Sequence, residues 1–311
     1  PWRVGKKSPK KLYYRLLSEF MLQQTQVKTV IPYFDKFTQE FPNLKSISKS
    51  SEKKVLKMWE GLGYYRRARN LLLCSKILVK EKNSKLPNNI YDLKKLPGIG
   101  DYTANALLAL VYNKPTLAID GNVRRVLSRI LNKNEEKINF NKLIEKNDKI
   151  LFKTKRNSDF VESIMELGAL VCKPKDPKCY LCDLKKICQY YKSTKKIKSK
   201  VKLKSKSKRY DVFCYLSKNK KIALTKKNNL GFLSKFYLPL IKEPSIKTLN
   251  SKWSFLCNYK NSISNKKLKL NVYYKFSNKI PVNFTWYSIR KNKEFIPTFT
   301  KKIFKQVETL F

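Results

Sequence analysis

The stretch Leu96-Pro97-Gly98-Ile99-Gly100-Asp101-Tyr102, with Ile119-Asp120-Gly121 a short way downstream, decides how the rest of the chain is read. Pro97, Gly98 and Gly100 crowd too closely for the interior of a helix or strand, so they mark a tight turn. Asp101 can cap a helix in which Ala104, Leu107, Leu108 and Val111 follow i, i+3, i+4, i+7 spacing. Upstream, Ile90, Leu93 and Leu96 predict another short helix. The pattern is helix, glycine turn, helix. Two glycines let a backbone approach a phosphate closely, and free N–H groups at the start of the second helix point towards it. An ordinary helix–helix turn has the same local signature, so the rest of the chain must decide.

The 311 residues have room for two domains. Lys and Arg number 70 against 22 Asp and Glu, a formal charge of +48 that favours a polyanionic partner, nucleic acid before membrane. Part of that excess reads as compositional drift towards Lys, Asn and Ile, which weakens charge as an argument alone. The chain has no histidine, so any catalysis rests on carboxylates, Lys, Tyr or Cys. No apolar run is long enough to span a membrane, and no signal peptide opens the chain. It begins at Pro1 without Met, which reads as a trimmed N-terminus.

Apolar periodicity predicts helices over 11–23, 27–37, 51–59 with Ser51 as cap, 66–78, 122–131, 140–152 and 159–171. The first 190 residues therefore read as all-α. Residues 192–209 carry a run of Lys and Arg with few large apolar residues and read as a flexible basic linker. Beyond Tyr210, short β-type runs over 212–216, 222–224, 269–274 and 284–287, then a helix over 300–310, predict a separate α+β domain.

Four side-chain sets carry chemistry. Cys172, Cys179, Cys182 and Cys188 crowd into a C-x6-C-x2-C-x5-C pattern, which suits a [4Fe–4S] cluster or a tetrahedral zinc; spacing does not choose. Lys173, Lys175, Lys178, Lys185 and Lys186 surround them, so the loop would present positive charge to phosphates. Cys74, Cys214 and Cys257 are isolated and read as buried apolar residues. Glu19 flanks the apolar face of Leu12 and Leu16, where desolvation would raise its pKa and suit it to donate a proton; a boundary salt bridge is the plainer reading. Asp120 precedes a helix start, where the dipole favours an anion; a simple N-cap is the plainer reading. Two carboxylates with pKa values pushed apart are what glycosidic cleavage through an oxocarbenium-like state needs. Gln23, Gln24 and Tyr64 offer amides and a ring that can read or wedge between bases, or mere loop polarity.

Ser18-Glu19-Phe20-Met21-Leu22-Gln23-Gln24-Thr25-Gln26-Val27, Gly61-Leu62-Gly63-Tyr64-Tyr65, Leu96-Pro97-Gly98-Ile99-Gly100, Asp120-Gly121-Asn122-Val123-Arg124-Arg125-Val126 and the cysteine spacing occur in order. Together they resemble the MutY family of adenine DNA glycosylases, helix-hairpin-helix enzymes related to endonuclease III. The resemblance is dense over residues 1–190 and fainter beyond. It implies removal, by base flipping, of adenine mispaired with 8-oxoguanine or guanine in double-stranded DNA. It implies Glu19 as the acid that protonates adenine and then helps activate water, and Asp120 as the carboxylate that stabilises the sugar cation. Gly98 and Gly100 would anchor the DNA backbone; Gln23, Gln24 and Tyr64 would contact DNA, and of these Gln24 and Tyr64 would wedge into the duplex; Trp2, Arg3 and Glu162 would line the adenine pocket. The four cysteines would hold one [4Fe–4S] cluster. At Tyr102 the strand-cleaving relatives carry a catalytic Lys, whose amine forms a Schiff base. Tyr cannot, so the resemblance implies a monofunctional enzyme that leaves an abasic site.

The expected architecture is an all-α glycosylase domain (1–190, cluster loop 172–188), a basic linker (191–209) and an α+β Nudix-like domain (210–311) that recognises 8-oxoguanine. The family's loop in that last domain pairs a Ser with flanking His. Here Asn261-Ser262-Ile263-Ser264-Asn265 stands there, with Ser264 as the base-reading hydroxyl, and Leu230-Gly231-Phe232-Leu233 replaces a Trp-centred turn. The expected molecule is a monomeric, cytoplasmic bacterial protein acting at the nucleoid, with no membrane partner. The alternatives are excision of another lesion in the manner of endonuclease III, and damage binding without catalysis.

Overall fold

A computed structural model describes Pro1 to Phe311 except residues 6, 198–206, 229, 231–232, 234–235, 245–252, 264–265 and 291–294. The helices run α1 (Lys11–Leu22), α2 (Val27–Glu40), α3 (Leu44–Ser48), α4 (Glu52–Met58), α5 (Arg66–Glu81), α6 (Ile90–Lys95), α7 (Asp101–Tyr112), α8 (Gly121–Ile130), α9 (Phe140–Lys146), α10 (Asp148–Leu151), α11 (Asn157–Glu166), α12 (Gln189–Lys192) and α13 (Thr298–Val307). The strands are β1 (Ser207–Ser217), β2 (Lys221–Leu224), β3 (Leu240–Lys242), β4 (Ser254–Ile263), β5 (Lys266–Phe276) and β6 (Thr285–Ser288). The chain separates into two compact units, Pro1–Val55 with Arg66–Lys202, and Leu56–Tyr65 with Leu203–Phe311.

The elements of the first unit are all helices among its described residues, joined by turns and loops. Its central helix is α7, which packs against α1, α6 and α11. Sequence periodicity predicts one apolar face, but Ala106, Ala109 and Leu110 are buried as fully as Ala104 and Leu107. Small alanines on the second face let α11 approach, and Ala106, Ala109 and Leu110 join Val123, Val126, Leu127, Phe140, Val161 and Ile164 in one core cluster. Leu16, Leu17, Phe20 and Met21 of α1 are all buried. Asn113 ends α7 in the left-handed region at φ 56°, and its Oδ1 accepts the Ser158 N–H at 2.9 Å, pinning the start of α11.

Asp101 does not cap α7. Gly100 holds the N-cap position and offers no side chain, while Asp101 lies in the first turn and pairs with Lys94 at 2.5 Å. Ser51 does cap α4, its Oγ accepting the Lys54 N–H at 3.2 Å. The predicted 159–171 helix is α11 followed by a π-helical turn, Leu167–Val171. The turn's Gly168 meets α8 so closely that a Cβ there would stand 2.6 Å from the Asn122 Cβ.

The second unit is built on a mixed sheet of order β4-β5-β1-β2-β6, with β3 paired to β1. β1 and β5 run parallel, and the other pairs are antiparallel. Alternate residues of β1 (Tyr210, Val212, Cys214, Leu216) face a core shared with Leu268, Leu270 and Val272 of β5 and with Phe299, Ile303, Phe304 and Val307 of α13. Leu56–Tyr65 belongs to this unit although it precedes α5. The Tyr65 ring packs on Phe236 and Phe295, its hydroxyl lies 3.1 Å from that of Thr298, and Glu60 pairs with Lys301 at 2.5 Å.

β1 begins within the stretch expected as linker, and β3 and β4 are strands the sequence pattern did not predict. Asn261–Ile263, expected in a loop, closes β4 against Lys266–Leu268 of β5. Ser264, Asn265, Gly231 and Phe232 lie outside the described residues.

Candidate active site

Glu19 sits in the last turns of α1 and is only 6% exposed. Burial pushes its carboxyl up, Arg15 pulls it down, and Asp120 and Glu162 push it up again, so it titrates at about 7. Burial, then Glu19, then Asp120 hold the Tyr102 phenol above its ordinary range. These mutual influences place Arg15 and Glu19 of α1, Tyr102 of α7, Asp120 and Glu162 of α11 in one electrostatic neighbourhood.

Asp120 is the N-cap of α8. Its Oδ1 accepts the Val123 N–H at 2.8 Å and its Oδ2 accepts the Asn122 amide at 2.9 Å. Both oxygens are thus fixed. Asn122 is held in turn by Arg125, which donates to Asn122 Oδ1 at 2.9 Å, the Gly168 carbonyl at 2.6 Å and the Cys172 carbonyl at 2.8 Å. Sequence reasoning missed Arg125 because its partners lie far along the chain.

Glu162 lies between two guanidinium groups. Its Oε1 contacts Arg15 Nη2, and its Oε2 is 3.6 Å from Arg3 Nε. Arg3 also pairs with Glu166. Trp2 is buried edge-on against Phe34 of α2, ring centroids 5.4 Å apart. Arg15 is the other residue that sequence reading passed over; a charge one turn before Glu19 on an apolar face was the available signal.

At the glycine turn, Gln23 Nε2 donates to the Gly98 carbonyl and to Thr103 Oγ1, both at 3.3 Å. Its amide ties α1 to the turn. Arg67 fastens the same helix end, donating to the carbonyls of Phe20 at 3.1 Å, Met21 at 2.5 Å and Gln23 at 2.7 Å. Gly98 has φ 82°, and a Cβ there would stand 2.6 Å from Phe20 Cε1. Gly100 is exposed, with open space around a built Cβ. Gln24 and Tyr64 are both in the left-handed region, at φ 58° and 49°, a conformation that costs about 1 kcal/mol or more for a side chain outside the turn-forming types. Gln24 is exposed and Tyr64 half-buried, each in its own unit.

Cys172, Cys179, Cys182 and Cys188 all line one recess of about 320 Å³, part of it open solvent, with Arg129, Lys178 and Lys185 on its walls. Arg129 Nη1 donates to Cys172 Sγ at 3.3 Å, and Cys188 Sγ donates to the Arg129 carbonyl at 3.5 Å. Among the described residues no three His, Cys, Asp or Glu converge as a single-ion site. A recess lined by four soft sulfur donors and cationic side chains nevertheless fits an anionic iron–sulfur group. Cys74 and Cys214 are buried and Cys257 partly so; burial pushes the Cys74 thiol up to about 12. No helix among the described residues is long and apolar enough to cross a membrane.

Residues 17–148 match the HhH-GPD superfamily of base excision DNA repair proteins. The chain is 35% identical to the adenine DNA glycosylase of Buchnera aphidicola subsp. Baizongia pistaciae over 99% of its own length and 92% of that protein's. It is 40% identical to the adenine DNA glycosylase of Buchnera aphidicola subsp. Schizaphis graminum over 73% of this chain and 61% of that one. The mouse enzyme of the same name matches at 36% over 61% of this chain and 38% of its own. Among solved structures, a thermostable thymine-DNA glycosylase matches with TM-score 0.53 and 27% identity, over 60% of this chain and 87% of that one. An endonuclease III trapped covalently on DNA matches with TM-score 0.50 and 21% identity, over 61% and 88%, a likeness of fold.

Proposed function

The chain belongs to the adenine DNA glycosylase family of base excision repair enzymes, and from that premise we propose that it hydrolyses the N-glycosidic bond of adenine opposite 8-oxoguanine or guanine without cutting the strand. The observation that carries the reading is Glu19: a buried carboxyl titrating at about 7, facing Tyr102 and Asp120.

The duplex docks by its phosphates, and the target base leaves the stack at a cost of roughly a few kcal/mol. Gly100 leaves the first turn of α7 without a side-chain cap, so its N–H groups are free to meet a phosphate. Gln24 and Tyr64, held in left-handed conformations, are the candidate wedges. Protonated Glu19 donates to a ring nitrogen of adenine. The C1′–N9 bond breaks and its electron pair stays on the base. Asp120, immobilised by Val123 and Asn122, stabilises the positive charge that develops on the sugar. Water adds to C1′ and gives its proton back to Glu19. The products are adenine and an abasic site. Tyr102 offers no amine, so no Schiff base forms and the strand stays whole.

Cys172, Cys179, Cys182 and Cys188 would hold one [4Fe–4S] cluster, whose part is to stiffen a loop that carries exposed Lys175, Lys178, Lys185 and Lys186 towards DNA. The second unit is read as a Nudix-like reader of the opposite base, with Ser264, outside the described residues, as its base-reading hydroxyl. One experiment tests the function. Duplexes carrying A:8-oxoG, A:G, A:C and T:G are incubated with protein and then treated with alkali. Breaks at A opposite 8-oxoG and G, only after alkali, are expected. Breaks at T, or breaks before alkali, would exclude the reading.

A further inference from the structure

Arg15 lies one turn before Glu19 on α1 and is only 7% exposed. Helical residues four apart are neighbours, and a cation so placed ordinarily pairs with the carboxylate and strips its proton. Here the guanidinium is engaged elsewhere: its Nη2 contacts Glu162 Oε1 on α11. We propose that the Arg15–Glu162 ion pair is a positioning device that sets the pH range over which Glu19 keeps its proton. This rests on the reading of Glu19 as the catalytic acid.

The charged and titratable groups around Glu19 are few. Arg15 faces it from α1, Tyr102 from α7, Asp120 from the start of α8 and Glu162 from α11. Arg67 of α5 is occupied by three backbone carbonyls. Lys28, Asp35, Lys36 and Glu40 of α2 are all exposed to solvent. Glu19 therefore sits between one cation, which favours its ionised form, and two carboxylates, which oppose it. Glu162 acts twice: it repels a charge on Glu19, and it answers the charge of Arg15. Removing Glu162's charge takes away one repulsion on Glu19 and frees Arg15 of its ion-pair partner, so Arg15's pull on Glu19 is no longer answered. Removing Arg15's charge takes away the one cation that lowers Glu19 and leaves Glu162, now paired only with Arg3, still repelling it. The two halves of one ion pair must move Glu19 in opposite directions. Loss of packing alone would not do this.

The test follows single-turnover adenine release from an A:8-oxoG duplex against pH, in wild type, Glu162→Gln, Arg15→Met and Arg15→Lys. Rates are normalised to the folded fraction. The alkaline limb should move down by about 1 pH unit in Glu162→Gln and up by a similar amount in Arg15→Met. It should stay near wild type in Arg15→Lys, which keeps the charge. Coincident limbs, or shifts of the same sign, overturn the proposal. If Arg15→Met fails to fold, Arg15→Gln replaces it as the charge-removing variant, and an unshifted limb in Glu162→Gln overturns the proposal by itself. Carbon-13 NMR of the side-chain carboxyls, with the Glu19 signal identified by its loss in Glu19→Gln, reads the same shifts without catalysis. Wild type that releases no base at any pH but shows these NMR shifts overturns the reading of Glu19's role and leaves the ion-pair effect standing.

Discussion

Glu19 is kept protonated by the same burial that makes its ionised form costly. Its carboxyl titrates at about 7 in the folded chain against 4.5 as the ordinary value. The group binds its proton more tightly when folded, so its contribution favours folding below pH 4.5 and is lost as pH rises to about 7. Integrated, that shift costs roughly 3 kcal/mol at pH 8. Glu19→Gln should therefore raise the melting temperature at pH 8 and change it little near pH 4, while abolishing adenine release. Thermal unfolding at both pH values checks the first part and alkali-dependent cleavage the second. Equal melting temperatures at pH 8 would mean that the carboxylate is well solvated. The same titration fixes the rate profile. With Glu19 as the proposed acid, only its protonated form would donate, so release should fall about tenfold per unit above pH 7, a limb that pH–rate measurements locate directly.

At the scale of elements, the glycine turn separates two glycines that the sequence presents alike. Gly98 has φ 82° and no room, with Phe20 Cε1 2.6 Å and Asn70 Cβ 2.8 Å from a built Cβ. Gly98→Ala should cost about 2–3 kcal/mol through backbone strain and overpacking, read as a fall in melting temperature. Gly100 has φ −97° and open space. Gly100→Ala should leave the melting temperature unchanged or slightly raised, yet weaken duplex binding if the proposed phosphate docks at this turn, since the methyl would stand in its way. Binding by fluorescence anisotropy separates the two effects. The turn and its flanking helices were legible because glycine, proline and apolar spacing are local signals. The burial of α7 on its second face was not, since alanines read as neutral until a neighbouring helix is placed against them. β4 was missed for a related reason: Ser254, Asn258, Lys260, Asn261 and Ser262 give a largely polar edge strand whose stability comes from its pairing with β5. The parallel pairing of β1 with β5 depends on a crossover that no short window contains. Around Glu19, the carboxylates were legible as residue types at helix positions. Arg125, which bridges Asn122 and Cys172, was not, because a hydrogen bond 47 residues apart leaves no periodic trace.

For the whole molecule, the charge of +48 exceeds anything a DNA footprint can use. Lysines are spread over both units, on exposed positions of α2, α5, α9, α13 and the sheet, and most of them face water. Only those that replace a condensed counterion at a phosphate contribute to binding. Counterion release gives a log–log slope of observed affinity against salt of about −0.9 per phosphate contact, and a DNA-binding protein that makes on the order of 6–10 such contacts sets the expected range. The chain should therefore bind undamaged duplex with a slope of about −5 to −9. The exposed lysines of the four-cysteine loop are the proposed first contributors, so changing Lys175, Lys178, Lys185 and Lys186 together to Gln should flatten the slope by up to about 4. Base release from a saturating complex should change little, because none of the four touches Glu19 or Asp120. Titration by anisotropy between roughly 50 and 200 mM salt measures both slopes. A slope in the tens would mean that the excess charge as a whole meets the duplex, and a quadruple variant with an unchanged slope would remove the cluster loop from the DNA surface.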